Sequence, residues 1–234
     1  MAYIIITNLI STSLYPLKAT YPMSAEYITI HNTANDATAI NEIAYMTRNK
    51  DATSYHVAID DKHVVQGIPF TRNGWHAGDG NGAGNRKSIG IEICYSKSGG
   101  TRYKVAEDNA IEYIAYLLKQ FGWNMDRVKW HRDWSGKNCP HRIIDEGRML
   151  AVRNKIAKRL AELNTIKPIP PKEDIRMFKP SSATLKAAFE QYLVEAIKEG
   201  LMTDKWLTDF RAGKLSLDDA LALKVIIDQR EKKK

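Results

Sequence analysis

The stretch Ser88-Ile89-Gly90-Ile91-Glu92-Ile93-Cys94-Tyr95 is the clearest β-strand in this sequence of 234 residues. Its isoleucines alternate with Gly90, Glu92 and Cys94, and alternate residues of a strand point to opposite faces of a sheet. Burying a carboxylate without a partner costs several kcal/mol. The pattern therefore predicts a strand in which Glu92 either pairs with a nearby lysine or arginine or serves in a functional site.

Strands and helices alternate along the first 163 residues. Alternating or β-branched residues predict three further strands, at residues 26–31, 55–59 and 63–66. Apolar residues at helical spacing predict helices near residues 39–49, 110–121 and 145–163. Residues 1–25 contain two prolines and are expected to form an extended arm. The predicted fold class is α/β, with a mixed central β-sheet flanked by helices.

The best candidate boundary is a proline-rich linker at residues 164–172, which separates a domain at 1–163 from one at 173–234. Three short helices are predicted beyond it, so the C-terminal domain should be small and all-α. The first helix closes at Gly200, the second begins at a Thr203 cap and the third opens on Ser216. The expected core residues of this domain are Leu185, Phe189 and Trp206.

Composition sets broad limits on function. The net charge of +8 suggests a polyanionic partner, but the basic residues are scattered, so no nucleic-acid binding is expected. No apolar run approaches the roughly 18 residues of a membrane span, so no membrane insertion is expected. The N-terminus lacks a basic segment, and synthesis in a cytosol without a signal peptide is expected. The two cysteines do not suggest a disulfide scaffold. Oligomeric state is not predicted.

A second group of chemically active residues follows Trp130. His131 and Cys139 are spaced so that the loop between them could fold both donors onto one tetrahedral ion, and His31 ends a predicted strand. Zinc in enzymes usually takes three protein ligands and leaves a fourth position open. His141 is an equally plausible donor, and Cys139 could instead be a small buried apolar residue. Spacing alone therefore leaves the ligand set open.

Five short motifs occur in the order found in one family of enzymes. They are Thr29-Ile30-His31-Asn32-Thr33, Ser54-Tyr55-His56-Val57, Gly74-Trp75-His76-Ala77-Gly78, Ser88-Ile89-Gly90-Ile91-Glu92, and His131-Arg132-Asp133 through Lys137-Asn138-Cys139-Pro140. Together they cover roughly residues 20–160. In this region the chain resembles the zinc-dependent N-acetylmuramoyl-L-alanine amidases of the peptidoglycan-recognition type, in particular the endolysins of bacteriophages.

The resemblance implies a Zn²⁺ ion held by His31, His131 and Cys139. It also implies that Glu92 is the catalytic carboxylate, which would take a proton from the attacking water and deliver it to the leaving amine. Lys137 would add positive charge where the oxyanion develops. If Lys137 is only a solvated loop residue, its replacement should change little.

The same resemblance suggests roles for three more residues. Tyr55 matches a tyrosine that some members use near the metal, and it is a further catalytic candidate. Trp75 and His76 lie in a glycine-rich stretch and are expected to line the substrate groove. The glycines around them could equally serve only to form turns.

The implied function is that of a peptidoglycan hydrolase. Its substrate would be the amide bond between N-acetylmuramic acid and the L-alanine of the stem peptide, and cleavage would lyse the cell. Residues 173–234 would then bind the bacterial cell wall or an associated polymer, or form a stabilising or dimerising helical cap. Two other functions remain open: a host or prophage autolysin or sporulation amidase, and a peptidoglycan-binding protein without activity.

Overall fold

The computed structural model of the protein describes residues 3–165 and 177–232. The chain divides into two compact units, residues 1–166 and 167–234. Most of the proline-rich linker expected at 164–172 lies outside the described residues. Within the described ranges, no helix has both the length and the apolar character needed to cross a membrane.

A six-stranded mixed sheet forms the centre of the first unit. Its strands are β1 (Ile4–Thr7), β2 (Tyr27–Asn32), β3 (Val57–Ile59), β4 (His63–Gln66), β5 (Ser88–Ile93) and β6 (Val128–Trp130). Their order in the sheet is β1-β4-β3-β5-β2-β6. The β3–β4 pair is an antiparallel hairpin, whereas β5 is parallel to both of its neighbours, and β6 is parallel to β2. The predicted α/β class and mixed sheet are confirmed.

Strand β5 is buried on both faces. Ile89, Ile91 and Ile93 are at most 1% exposed, and Gly90 and Cys94 on the alternate positions are buried as well. Parallel strands are commonly covered by helices on both sides. The alternation in this strand therefore does not separate a core face from a solvent face. Both faces are buried: one is apolar, and the other carries Glu92.

Helices flank the sheet. In the first unit they are α1 (Tyr15–Lys18), α2 (Ala39–Arg48), α3 (Ala83–Lys87), α4 (Gly100–Phe121), α5 (Arg132–Ser135), α6 (His141–Asp145) and α7 (Met149–Thr165). Helix α4 ends at Gly122, whose φ of +66° is the left-handed conformation that glycine adopts without a Cβ clash. Helix α7 packs along α4, and Ile156 of α7 is fully buried in the core.

The expectation of an extended arm at residues 1–25 is wrong. Residues Ile4–Thr7 form β1, which pairs in parallel with β4, so that Ile5 lies opposite Val64. Pro16 stands in the first turn of α1, where a missing N–H costs nothing, and so it begins a helix instead of breaking one. Lys18 at the end of α1 is fully buried, and its ammonium donates to Asn49 Oδ1 at 2.5 Å.

The described part of the second unit, residues 177–232, contains three helices and a core of its own. They are α8 (Ala183–Lys198), α9 (Lys205–Arg211) and α10 (Leu217–Glu231). Leu193, Phe210 and Ile227 are buried at its centre. Ser216 caps α10 by accepting from the Asp219 N–H at 3.0 Å, as predicted. An all-α architecture for this unit is confirmed.

Two details of the C-terminal prediction are wrong. Leu185 is 54% exposed and is not a core residue, whereas Phe189 and Trp206 are partly buried against the core. The N-cap of α9 is Asp204 rather than Thr203, and no side-chain cap hydrogen bond forms there.

The α4–α7 contact allows a test of the fold. Ile156→Ala should lower the free energy of unfolding by about 2–5 kcal/mol, because it removes buried methyl groups and leaves a cavity. Leu150→Ala on the same helix is the control: its side chain is 69% exposed, so the change should stay within about 0.5 kcal/mol. Urea unfolding measures the free energy of unfolding of both variants, provided that its dependence on urea concentration has the same slope in each. Equal losses in the two variants would contradict the assigned packing.

Candidate metal and catalytic site

The candidate site lies where three parallel strands end. The register of β2 and β5 places His31 directly opposite Glu92. Ile30 lies opposite Trp130, so His131 follows immediately after the end of β6. Because the carboxyl ends of parallel strands meet at one edge of a sheet, side chains from distant parts of the sequence come together there.

Two histidines and a cysteine form the centre of this site. His31 Nδ1 lies 3.0 Å from His131 Nδ1 and 3.7 Å from Cys139 Sγ. The three ligand atoms all lie within 4.8 Å of one another, and all three residues are buried. Ligand atoms at zinc bond lengths on a tetrahedral ion are separated by roughly 3.3–3.6 Å. The spacing and the donor types therefore fit a zinc ion.

Cys139 is the third member of this group, and His141 is not part of it. The loop that carries Cys139 folds back on α5, where the Arg132 N–H donates to the Cys139 carbonyl at 3.1 Å. Burial and the nearby charge of Glu92 raise the pKa of the Cys139 thiol to about 12. A bound cation would reverse this preference, because metal ligation requires the thiolate.

Glu92 lies beside the three ligands. Its Oε1 atom is 4.0 Å from His31 Nδ1, and its side chain is 14% exposed. In the described part of the chain its buried Oε2 has no hydrogen-bond partner, and it forms no ion pair with lysine or arginine. Burial, reinforced by the charge of Glu42, raises the pKa of Glu92 to about 8, while Lys137 opposes the shift. A group with these properties is suited to proton transfer.

Lys137 lies in the exposed loop between His131 and Cys139. Its positive charge helps to lower the pKa of His131, after the larger effect of burial. It also opposes the upward pKa shift of Glu92. The Lys137 charge therefore favours the ionised form of Glu92 and the neutral form of His131.

Tyr55 and His76 are buried, and Trp75 is partly buried. Tyr55 is buried, and its hydroxyl lies 2.9 Å from Glu42 Oε2 and 3.0 Å from the Glu42 carbonyl. His76 is only 6% exposed and contacts His31, and its substrate-binding role stays a prediction. Trp75 is half-buried, with its ring edge against Tyr21 at a centroid distance of 6.0 Å.

His56 connects backbone segments. Its Nε2 donates to the Arg72 carbonyl at 2.8 Å, and its Nδ1 accepts from the Gly90 N–H at 3.0 Å. Burial lowers the pKa of His56 to about 4. A neutral ring with both nitrogens bonded to backbone has a structural role.

Sequence reasoning missed Glu42. This carboxylate is 6% exposed and accepts from the Tyr55 hydroxyl. A signal was available, because Glu42 falls on the same face of α2 as the buried residues Ala39, Ile43 and Met46. A carboxylate on a buried helix face needs a partner or a function.

A profile of the N-acetylmuramoyl-L-alanine amidase family matches residues 21–142, which include His31, Glu92 and His131. This chain belongs to that family. The N-acetylmuramoyl-L-alanine amidase CwlA of Bacillus subtilis (strain 168) is 62% identical over 164 residues, which are 70% of this chain and 60% of CwlA. The chain thus spans less than two thirds of the length of the curated amidases CwlA and XlyB.

Solved structures support the fold of the first unit. The structure of PlyL is 49% identical and superposes with a TM-score of 0.65, covering 67% of this chain and 98% of PlyL. A structure described as a mutant endolysin from Bacillus subtilis is 38% identical, with a TM-score of 0.59, and covers 66% of this chain and 99% of that endolysin. Members of the family therefore share this sheet and its flanking helices.

The ligand set makes a direct prediction. Cys139→Ala should weaken zinc binding by more than about 100-fold, because losing a ligand should cost more than losing one of its supporting hydrogen bonds. His141→Ala is the matched control and should bind zinc like the parent. Competition with a chelating dye measures the zinc affinity of both variants. If only the His141 variant loses zinc, His141 is the third ligand and Cys139 is not.

Proposed function

We propose that this protein is a zinc-dependent N-acetylmuramoyl-L-alanine amidase that hydrolyses the bond between N-acetylmuramic acid and the L-alanine of peptidoglycan. The observation that carries the proposal is the buried group of His31, His131 and Cys139 beside Glu92. Membership of the amidase family and the activity stated in the name of CwlA support the same reaction.

In this proposal His31, His131 and Cys139 hold the zinc ion and leave one coordination position for the reaction. Zinc bound there would polarise the scissile carbonyl and make water acidic enough to attack it near neutral pH. The two imidazoles and the thiol come from a strand end, a helix start and a loop whose backbones are hydrogen-bonded. They would therefore need little rearrangement to bind the ion.

Glu92 is the proposed proton carrier. It would accept a proton from the attacking water and transfer it to the nitrogen of the departing L-alanine. Lys137 would stabilise the negative charge on the substrate oxygen, since its ammonium can approach the site from solvent. Tyr55 would act indirectly, because its hydroxyl is occupied by Glu42. Trp75, which remains partly exposed, would contribute to the groove wall.

An inactive peptidoglycan-binding protein explains the site less well. Recognition of a sugar or peptide requires neither a soft thiol ligand nor a buried carboxylate with an unpaired oxygen. We therefore propose catalysis, with an endolysin acting on the wall from inside its host as the biological setting. One structural relative is an endolysin from Bacillus subtilis, which supports this setting. A host or prophage autolysin would perform the same reaction.

Glu92→Gln separates metal binding from catalysis. The amide keeps the size of the side chain but cannot carry the proton, so zinc content should be unchanged while activity falls by about 10²–10⁴-fold. The readout is the release of amino groups from purified cell wall without new reducing ends. Glu26→Gln is the control, since this glutamate forms an ion pair with Lys87 away from the ligands. Near-parental activity of Glu92→Gln would remove Glu92 from the mechanism.

The second unit is the proposed wall-binding domain. Its separate hydrophobic core allows it to fold as a module, and tethering a wall-binding module to an enzyme raises the local enzyme concentration at an insoluble polymer. The ligand would be peptidoglycan itself or an associated wall polymer.

Ending the chain after residue 165 tests this role. The truncated protein should adsorb to cell walls more weakly, yet cleave a soluble muropeptide at a rate close to that of the full chain. A pull-down with insoluble wall and a soluble-substrate assay measure the two properties separately. If adsorption is unchanged and the thermal midpoint falls, the unit is a stabilising cap instead.

A further inference from the structure

His76 lies beneath the three proposed ligands, in a chain of hydrogen bonds that ends on one of them. We infer that His76 is a positioning residue that fixes the tautomer of His31, so that the His31 Nδ1 lone pair faces His131 and Cys139. The inference rests on the proposed function in one respect, namely that this group of three binds zinc.

The proton positions follow from the backbone. His76 Nε2 lies 3.2 Å from the Ser88 carbonyl oxygen, which can only accept, so this nitrogen must carry a proton. His76 is 6% exposed, and burial disfavours a charged imidazolium. A neutral ring has one proton, so His76 Nδ1 is an acceptor. The only hydrogen-bond partner that the described residues offer it is His31 Nε2, at 3.1 Å.

The consequence falls on His31. Its Nε2 must donate to His76, which leaves Nδ1 without a proton. That same Nδ1 atom lies 3.0 Å from His131 Nδ1 and 3.7 Å from Cys139 Sγ. A metal binds the unprotonated nitrogen of a neutral imidazole, and the hydrogen bond of the other nitrogen decides which one that is. His76 therefore selects the nitrogen that the site needs.

The glycine-rich stretch is built to hold this ring. The Asn85 side-chain oxygen accepts from the backbone N–H groups of His76 and Ala77, both at 2.7 Å, and so fixes the turn. The ring covers Gly90, where a Cβ atom would lie only 2.7–2.9 Å from ring atoms of His76. Glycine inside a strand is less favourable than alanine, because its backbone loses more conformational freedom on folding. At Gly90 it makes room for the imidazole.

Two substitutions distinguish positioning from simple packing. His76→Leu fills the space but removes both hydrogen bonds. His76→Gln restores them, because its amide N–H can donate to Ser88 and its oxygen can accept from His31 Nε2. A purely structural role predicts similar losses in both variants, whereas the tautomer role predicts rescue by glutamine.

The test uses the full chain. Zinc affinity is measured by competition with a chelating dye, and the His31 tautomer of metal-free protein by long-range proton–nitrogen NMR correlation. We expect the parent to show the proton on His31 Nε2. His76→Leu should bind zinc about 10–100-fold more weakly than the parent. His76→Gln should stay within about threefold of the parent, which is clearly below that loss. His63→Gln is the control, because that ring contacts Asp60 instead of the ligands.

Gly90→Ala offers a second, independent variant. It leaves all the hydrogen-bonding groups in the chain but forces the His76 ring to move, so it should weaken zinc binding in the same direction as His76→Leu. Thermal unfolding of each metal-free variant shows whether the fold survives.

Each outcome has one meaning. Equal zinc affinity in the parent and His76→Leu overturns the inference and leaves the proposed amidase intact. Equal weakening in the leucine and glutamine variants also overturns it, in favour of packing. A parent that binds no zinc overturns the proposed metal site, and with it the selection of a ligand nitrogen. If the metal-free parent carries the proton on His31 Nδ1, His76 does not select the His31 tautomer, and the inference is overturned.

Discussion

The parallel pairing of β5 with β2 is the constraint on which the site depends. It sets His31 opposite Glu92, and a shift by one residue would turn either side chain to the opposite face of the sheet. The register is held by fully buried isoleucines, with Ile28 opposite Ile89 and Ile30 opposite Ile91. The apolar packing that stabilises the sheet therefore also positions the polar groups of the site.

The first unit also buries a polar layer of three histidines. His31, His56 and His76 are all buried, and burial lowers the pKa of each. Gly90 connects two of them: its N–H donates to His56, and its missing Cβ accommodates the ring of His76. Buried polar groups are tolerated when their hydrogen bonds are satisfied. Backbone groups bond both ring nitrogens of His56, whereas His76 bonds to the Ser88 carbonyl and to His31, and His31 bonds to neighbouring side chains.

Sequence patterns predicted the parts of this structure that local chemistry determines. The alternation in β5, the hairpin of β3 and β4, and the glycine that ends α4 all act over a few residues, and all appear where expected. The strand character of Ile4–Thr7 was missed, because its partner lies about 60 residues further along the chain. No local pattern marks such a partner.

The site was predictable to a different extent. The family motifs predicted His31, His131 and Cys139 as one ligand set, and the ligand atoms of these residues lie within 4.8 Å of one another. The burial of His76 and the contact between Tyr55 and Glu42 were not accessible in this way. Both depend on which face of a loop or helix turns inward, and a motif records residue types but not their orientation.

Charge explains why these residue types belong together. With no cation, burial raises the pKa of Glu92 and Cys139 and lowers that of the histidines, so every group tends toward its neutral form. A carboxylate and a thiolate side by side in this interior would repel each other and lose their hydration. One divalent cation would offset both negative charges, while neutral imidazoles add ligands without adding charge. A divalent metal ion would therefore stabilise the ionised form of a site with this composition. In that form Glu92 can accept a proton.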